Sequence, residues 1–100
     1  MNVMAIGAHP DDIEFGCSGT LIKHKERGDT VVYVCMTSTE SKSGTSGNIL
    51  RSLEQLKSEV KCSTELIECD YVEFAPFTDL HVPFNFESVS VLDGMMQTYK

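Results

Sequence analysis

Apolar residues fall in short continuous runs and in spaced stripes along this chain, and each change of pattern marks a change of element. Val3-Met4-Ala5-Ile6 is continuous, so Asn2 to Ala8 reads as a buried strand. His9 to Gly16 reads as a loop, followed by a helix from Ser18 to Arg27 with Gly28 as its C-terminal stop. Thr30 to Met36 is β-branched and nearly all apolar, as expected of a strand covered on both faces. Thr37 to Asn48 is rich in Ser, Thr and Gly and reads as a mobile loop. Ile49, Leu53, Leu56 and Val60 then line one face of a second helix, with Arg51, Glu54, Lys57, Ser58 and Lys61 facing away. Tyr71 to Phe74 is a third strand, and Ala75 to Phe86 an irregular loop with two prolines and three aromatics. Glu87 to Tyr99 closes the chain as a third helix, with Val89, Leu92, Met96 and Tyr99 on one side.

Strand, helix, strand, helix, strand is the order of an α/β protein. The expectation is a Rossmann-like three-layer fold with a parallel sheet, right-handed crossovers and strand order 3-2-1. In that order a fourth strand pairs with the free side of the first, and residues 1–100 do not supply it. An apolar central strand left at an edge invites association. The expectation is therefore that residues 1–100 are the N-terminal part of a single domain, truncated at the C-terminus. A partner chain over that edge, a second copy included, is the alternative.

The formal net charge of −7 and pI near 4.7 argue against nucleic acid or an anionic membrane as partner. Lys23, Lys25 and Arg27 are interrupted by Glu26 and make no basic patch. The longest apolar runs are far short of the roughly 20 residues of a membrane span. The amino terminus lacks the regions of a signal peptide, so a cytoplasmic protein is expected. Cys17, Cys35, Cys62 and Cys69 fit no CxxC spacing and read as reduced thiols.

The chemistry gathers where the first strand ends. His9, Asp11, Asp12 and Glu14 lie within six residues, at the carboxyl end of a strand, where α/β proteins bind ligands. Imidazole plus carboxylate is a ligand set for a divalent metal, and a spare carboxylate beside it can act as a base. Pro10 stiffens the turn so that the two aspartates leave it in different directions. Gly16, Gly19 and Thr20 bring a helix N-terminus, which favours anions, up to the cluster. The pattern points to a metal-assisted hydrolase. The same residues have a structural use, with Asp11 and Asp12 as helix caps and His9 as a loop histidine. A dinucleotide-binding fingerprint is incomplete here, and no acidic residue ends the second strand.

The stretch Ala5 to Thr20, Ala-Ile-Gly-Ala-His-Pro-Asp-Asp-Ile-Glu-Phe-Gly-Cys-Ser-Gly-Thr, resembles the signature of the PIG-L/LmbE-type N-acetylglucosamine deacetylases. The likeness continues through Leu21 to Thr37, Arg51-x-x-Glu54 and Phe77-Thr78-Asp79-Leu80. It implies a zinc-dependent hydrolase that removes the acetyl group from a small glycoside containing N-acetylglucosamine. By this resemblance His9 and Asp12 are two of three zinc ligands and Asp11 is the general base. Arg51 matches an arginine that reaches substrate; its alternative is a solvated arginine paired with Glu54 or Gln55. Glu14 is expected to support the cluster without binding zinc, and Asp79 to line the pocket or form a loop turn. Two departures stand out. Ser18 occupies a position where glycine is common, and no segment of the His-x-x-Asp-His type, the source of the third ligand and an oxyanion-stabilising histidine, occurs in residues 1–100. His24 lies in the first helix, and His81 lacks the required neighbours. A non-catalytic sugar- or nucleotide-binding module, and a half-enzyme completed by another chain, are the competing readings.

Overall fold

The computed structural model describes residues 1–38 and 40–100. Strand β1 (Asn2–Gly7) pairs in parallel with β2 (Thr30–Thr37), and β2 in parallel with the third long strand. A two-stranded antiparallel ribbon, β3 (Ser41–Lys42) and β4 (Ile49–Arg51), follows β2, and β5 (Tyr71–Phe77) completes the main sheet in the order β1-β2-β5. Three helices, α1 (Asp12–Glu26), α2 (Leu53–Ile67) and α3 (Phe86–Thr98), make up the rest. The parallel sheet and the expected 3-2-1 order are both present.

β2 carries the interior. Its alternating side chains divide into two cores: Val31, Tyr33 and Cys35 pack with Ile13 and Leu21 of α1 and Val60 and Ile67 of α2. Val32, Val34 and Met36 pack with Ala75 and Phe77, and with Val91, Leu92, Met95 and Tyr99 on the α3 side. Alternation along one pleated strand therefore produces the three layers. Gly28, at φ +83, lets the chain turn from α1 into β2. β1 has only one neighbour strand among the described residues, and Ile6 at its end is 47% exposed. No helix among them is long and apolar enough to cross a membrane.

Several boundaries differ from expectation. α1 begins at Asp12, not Ser18, because two helical segments join across non-helical Cys17 (φ −148°, ψ 17°), and apolar periodicity marks only the second. Ile49 lies in β4 rather than in a helix and is exposed. α2 starts after Ser52, whose hydroxyl accepts from the Gln55 N–H while its own N–H donates to Gln55 Oε1. β5 runs past Phe74 to Phe77: Cys35 opposes Phe74 and Thr37 opposes Phe77, so β5 holds one extra residue there, next to Pro76. An edge strand tolerates that proline. α3 turns Val91, Leu92, Met95 and Tyr99 inward and leaves Val89 and Met96 each 56% exposed. Apolar residues are dense enough there for two adjacent stripes to fit. Tyr99 belongs to both, its ring 4.8 Å from that of Tyr71 and its hydroxyl bonded to Glu73.

Candidate active site

The site grows from the sharp exit of β1. A side chain at Gly7 would bring a Cβ within 3.0 Å of Ile13 Cγ1, so glycine is what lets α1 start against the strand end. Two β2 side chains then hold the intervening loop. Thr37 Oγ1 donates to the Ala8 carbonyl at 2.8 Å, and the buried Tyr33 hydroxyl donates to the Pro10 carbonyl.

Within this frame the His9 N–H donates to Asp12 Oδ2 at 2.9 Å, and the Asp12 N–H to the His9 carbonyl at 3.3 Å. The ring is bracketed by carboxylates. Nδ1 lies 3.5 Å from Asp12 Oδ2, and Nε2 lies 2.5 Å from Asp79 Oδ1, which reaches it from the turn after β5. The hydrogen bond to Asp79 raises the His9 pKa above its usual 6.5; burial works against it, and the negative charges of Asp79 and Asp12 add to it.

Asp11 is the N-cap residue of α1, yet its side chain makes no capping hydrogen bond. Its carboxylate instead borders a cavity of about 120 Å³ that is also lined by His9, Glu40, Arg51 and Asp79. Arg51 reaches this cavity from β4, not from a helix turn, and pairs with Glu59 of α2 at 2.6 Å rather than with Glu54 or Gln55. Glu14 packs toward Tyr33 and lies near enough to Asp11 and Asp12 to feel their charge. Burial pushes its carboxyl above the usual range, the Tyr33 hydroxyl partly offsets this, and its Oε1 is buried with no partner among the described residues. His24 pairs with Asp29 at 2.7 Å, and His81 lines an adjoining, larger cleft that shares Glu40 and Asp79 with this cavity. No set of three or more His, Cys, Asp or Glu side chains among the described residues converges to hold a metal ion. The four cysteines are free thiols.

Residues 4–100 match the sequence profile of PIG-L, described as GlcNAc-PI de-N-acetylase. The chain belongs to the PIG-L family. A PIG-L relative by sequence is the uncharacterized deacetylase YaiS of Escherichia coli (strain K12), 32% identical over 97 residues that make up 95% of this chain and 48% of that protein. Among solved structures, the N,N′-diacetylchitobiose deacetylase of Pyrococcus horikoshii, complexed with its inhibitor MPG, superposes with a TM-score of 0.82 at 27% identity. That match covers 97% of this chain and 37% of the enzyme. GalB, the 4-carboxy-2-hydroxymuconate hydratase of Pseudomonas putida KT2440, shares the fold at 17% identity and a TM-score of 0.76, covering 98% of this chain and 43% of that one. This PIG-L chain thus spans about half the length of YaiS and less of the two solved structures.

Tyr33, Thr37 and Glu59 were not among the residues singled out from sequence. Tyr33 and Thr37 sit inside an apolar strand, where nothing local marks a side chain that hydrogen-bonds a distant loop.

Proposed function

We propose that this chain carries the metal- and base-bearing part of a zinc-dependent N-deacetylase acting on a small glycoside that contains N-acetylglucosamine. One observation carries the reading: Nδ1 of His9 and Oδ2 of Asp12 are 3.5 Å apart while Nε2 of His9 rests on Asp79. Two donors each about 2.0–2.2 Å from one tetrahedral zinc ion lie about 3.3–3.6 Å apart. A carboxylate on the far ring nitrogen is the usual support of a metal-binding histidine, since it places the proton there and leaves the other lone pair free. The donor set therefore fits zinc as two of its ligands.

When bound, the ion supplies a Lewis acid that polarises the acetamide carbonyl and acidifies water. Asp11, free of the helix cap, faces the same cavity and takes the proton of the attacking water. It returns that proton to the departing nitrogen as the C–N bond breaks, leaving acetic acid, which gives up its proton to water as acetate, and a free amine. Arg51, steadied by Glu59, meets the substrate at the cavity wall. Glu14 and Tyr33 hold the loop from behind.

We further propose that residues 1–100 are the N-terminal part of one domain, with a fourth strand on β1 followed by the third ligand and the oxyanion-stabilising histidine. The greater length of the relatives supports this. The shortage of a third donor among the described residues favours one second reading, a half-site completed by another chain. Zinc bound only in an assembled complex would distinguish it.

The test is zinc content and acetate release from an N-acetylglucosamine glycoside, in the protein that carries this chain. Asp11→Asn keeps zinc and loses turnover by about 10²-fold or more. His9→Ala loses the metal. Undiminished turnover in the first variant sinks the base assignment, and full zinc occupancy in the second sinks the ligand assignment.

A further inference from the structure

We propose that Glu59 is a positioning residue whose carboxylate neutralises Arg51, so that the candidate active site takes uncharged glycosides and turns away anionic ones. The proposal rests on the deacetylase reading above and adds the charge class of the substrate to it. Arg51 ends β4 and directly precedes Ser52, the N-cap of α2. A cation there meets the positive end of the helix dipole, and the nearest carboxylate in sequence, Glu54, lies in the first turn. Arg51 instead pairs with Glu59, eight residues on, through Nη1 and Oε2 at 2.6 Å. Stability does not account for this choice. The side chains are 33% and 58% exposed, and ion pairs of that kind add little. Nor does the start of α2 need the pair, because Ser52 and Gln55 already cap one another.

The two partners face different spaces. Pro10, Asp11 and Arg51 form a wall shared by the cavity of about 120 Å³ over His9 and a groove of about 250 Å³ on the α2 side. Glu59 lines the groove and not the cavity, so it reaches a substrate bound over Asp11 only through Arg51. The hydrogen bond to Glu59 is the largest influence raising the Arg51 pKa; burial opposes it, and the charges of Glu59 and Asp11 add to it. One guanidinium N–H is committed to Glu59, and the others remain to donate to substrate oxygens. Those donors carry a charge that Glu59 already balances. The other charged groups on the cavity lining, apart from His9, are the carboxylates of Asp11, Glu40 and Asp79. A phosphate or carboxylate arriving beside Arg51 thus meets three negative charges and an arginine whose own charge is matched. A hydroxyl meets donors and acceptors and no net repulsion.

The test measures kcat and KM for acetate release from methyl N-acetylglucosaminide and from N-acetylglucosamine 1-phosphate, in the protein that carries this chain. The two substrates differ only in the group on the anomeric oxygen. The unaltered protein is expected to favour the methyl glycoside by about tenfold or more in kcat/KM, the scale of one unmatched charge several ångströms away at an intermediate dielectric. In Glu59→Gln that preference falls below about threefold, through a lower KM for the phosphate. Glu59→Asp, which keeps the charge on a shorter arm, restores it. An unchanged preference in Glu59→Gln, an equal fall in kcat/KM for both substrates, or a Glu59→Asp no more selective than Glu59→Gln overturns the role of Glu59. No preference, or a preference for the phosphate, in the unaltered protein overturns this proposal and leaves the deacetylase reading standing. Acetate release from neither substrate overturns both.

Discussion

At His9 each ring nitrogen faces a carboxylate, and the two carboxylates come from opposite ends of the chain. Asp12 is a near neighbour in sequence, and Asp79 is 70 residues away. In Asp79→Asn the His9 pKa should fall back toward 6.5, because its largest cause is gone, and zinc affinity should drop by about 10–100-fold. An NMR titration of the ring and a competitive zinc titration check the two halves; an unshifted ring would place the proton elsewhere. A second pairing lies at the other end of the strands. Asp29 is buried and accepts from the Met1 ammonium at 2.9 Å and from His24 at 2.7 Å. The ammonium first, then His24, lowers its pKa from 3.8 to about 2. A carboxyl depressed on folding contributes stability above its unfolded pKa and loses it as pH falls through the folded value. Stability should therefore decline between about pH 4 and pH 2, and Asp29→Asn should flatten that limb in urea titrations. The local cluster His9, Asp11 and Asp12 was legible in sequence because loop residues that share a turn are already neighbours. The support from Tyr33, Thr37 and Glu59 was not, because each reaches the site through a tertiary contact that leaves no spacing to read.

Elements were read correctly wherever one pattern dominated, as in β2; of the expected stripe on the second helix, Leu56 and Val60 are buried, Leu53 is exposed, and Thr64 and Ile67 complete the inner face. Reading failed where two patterns competed. The helical stripe through Ile49 is equally the tail of a short ribbon, and only pairing with Ser41 and Lys42 decides for β4. The same ambiguity hid the first turns of α1, whose Asp12 and Glu14 look like loop chemistry and are also helix N-terminal residues. The junction of β1 and α1 is held by two hydroxyls from β2, those of Thr37 and Tyr33. Tyr33→Phe removes the donor to the Pro10 carbonyl while keeping the ring in the core. The expected destabilisation is about 1–3 kcal/mol, the cost of leaving a buried carbonyl unpaired. Weaker zinc binding should accompany it, because the loop that carries His9 and Asp12 loses an anchor. A variant that lost stability and kept its zinc affinity would show that β2 supports the fold and leaves the site alone.

Across the molecule, the layer order was legible because parallel connections leave few topologies open. The bulge in β5 and the α3 stripe were not, since both depend on how neighbouring layers settle against each other. The division of β2 between two cores has a further consequence. Its backbone pairs on both sides and its side chains serve both faces, so neither core can open while the other remains closed. Cys35, fully buried in the middle of that strand, can report the event, while Cys62 on the surface serves as the internal control. A thiol reagent should modify Cys62 at once and Cys35 only at the rate of global opening, in step with amide exchange across β2. Labelling of Cys35 well ahead of that exchange would mean that the layers breathe independently. Labelling in step with that exchange would make β2, a strand that carries none of the candidate site residues, the place where the protein's lifetime is decided.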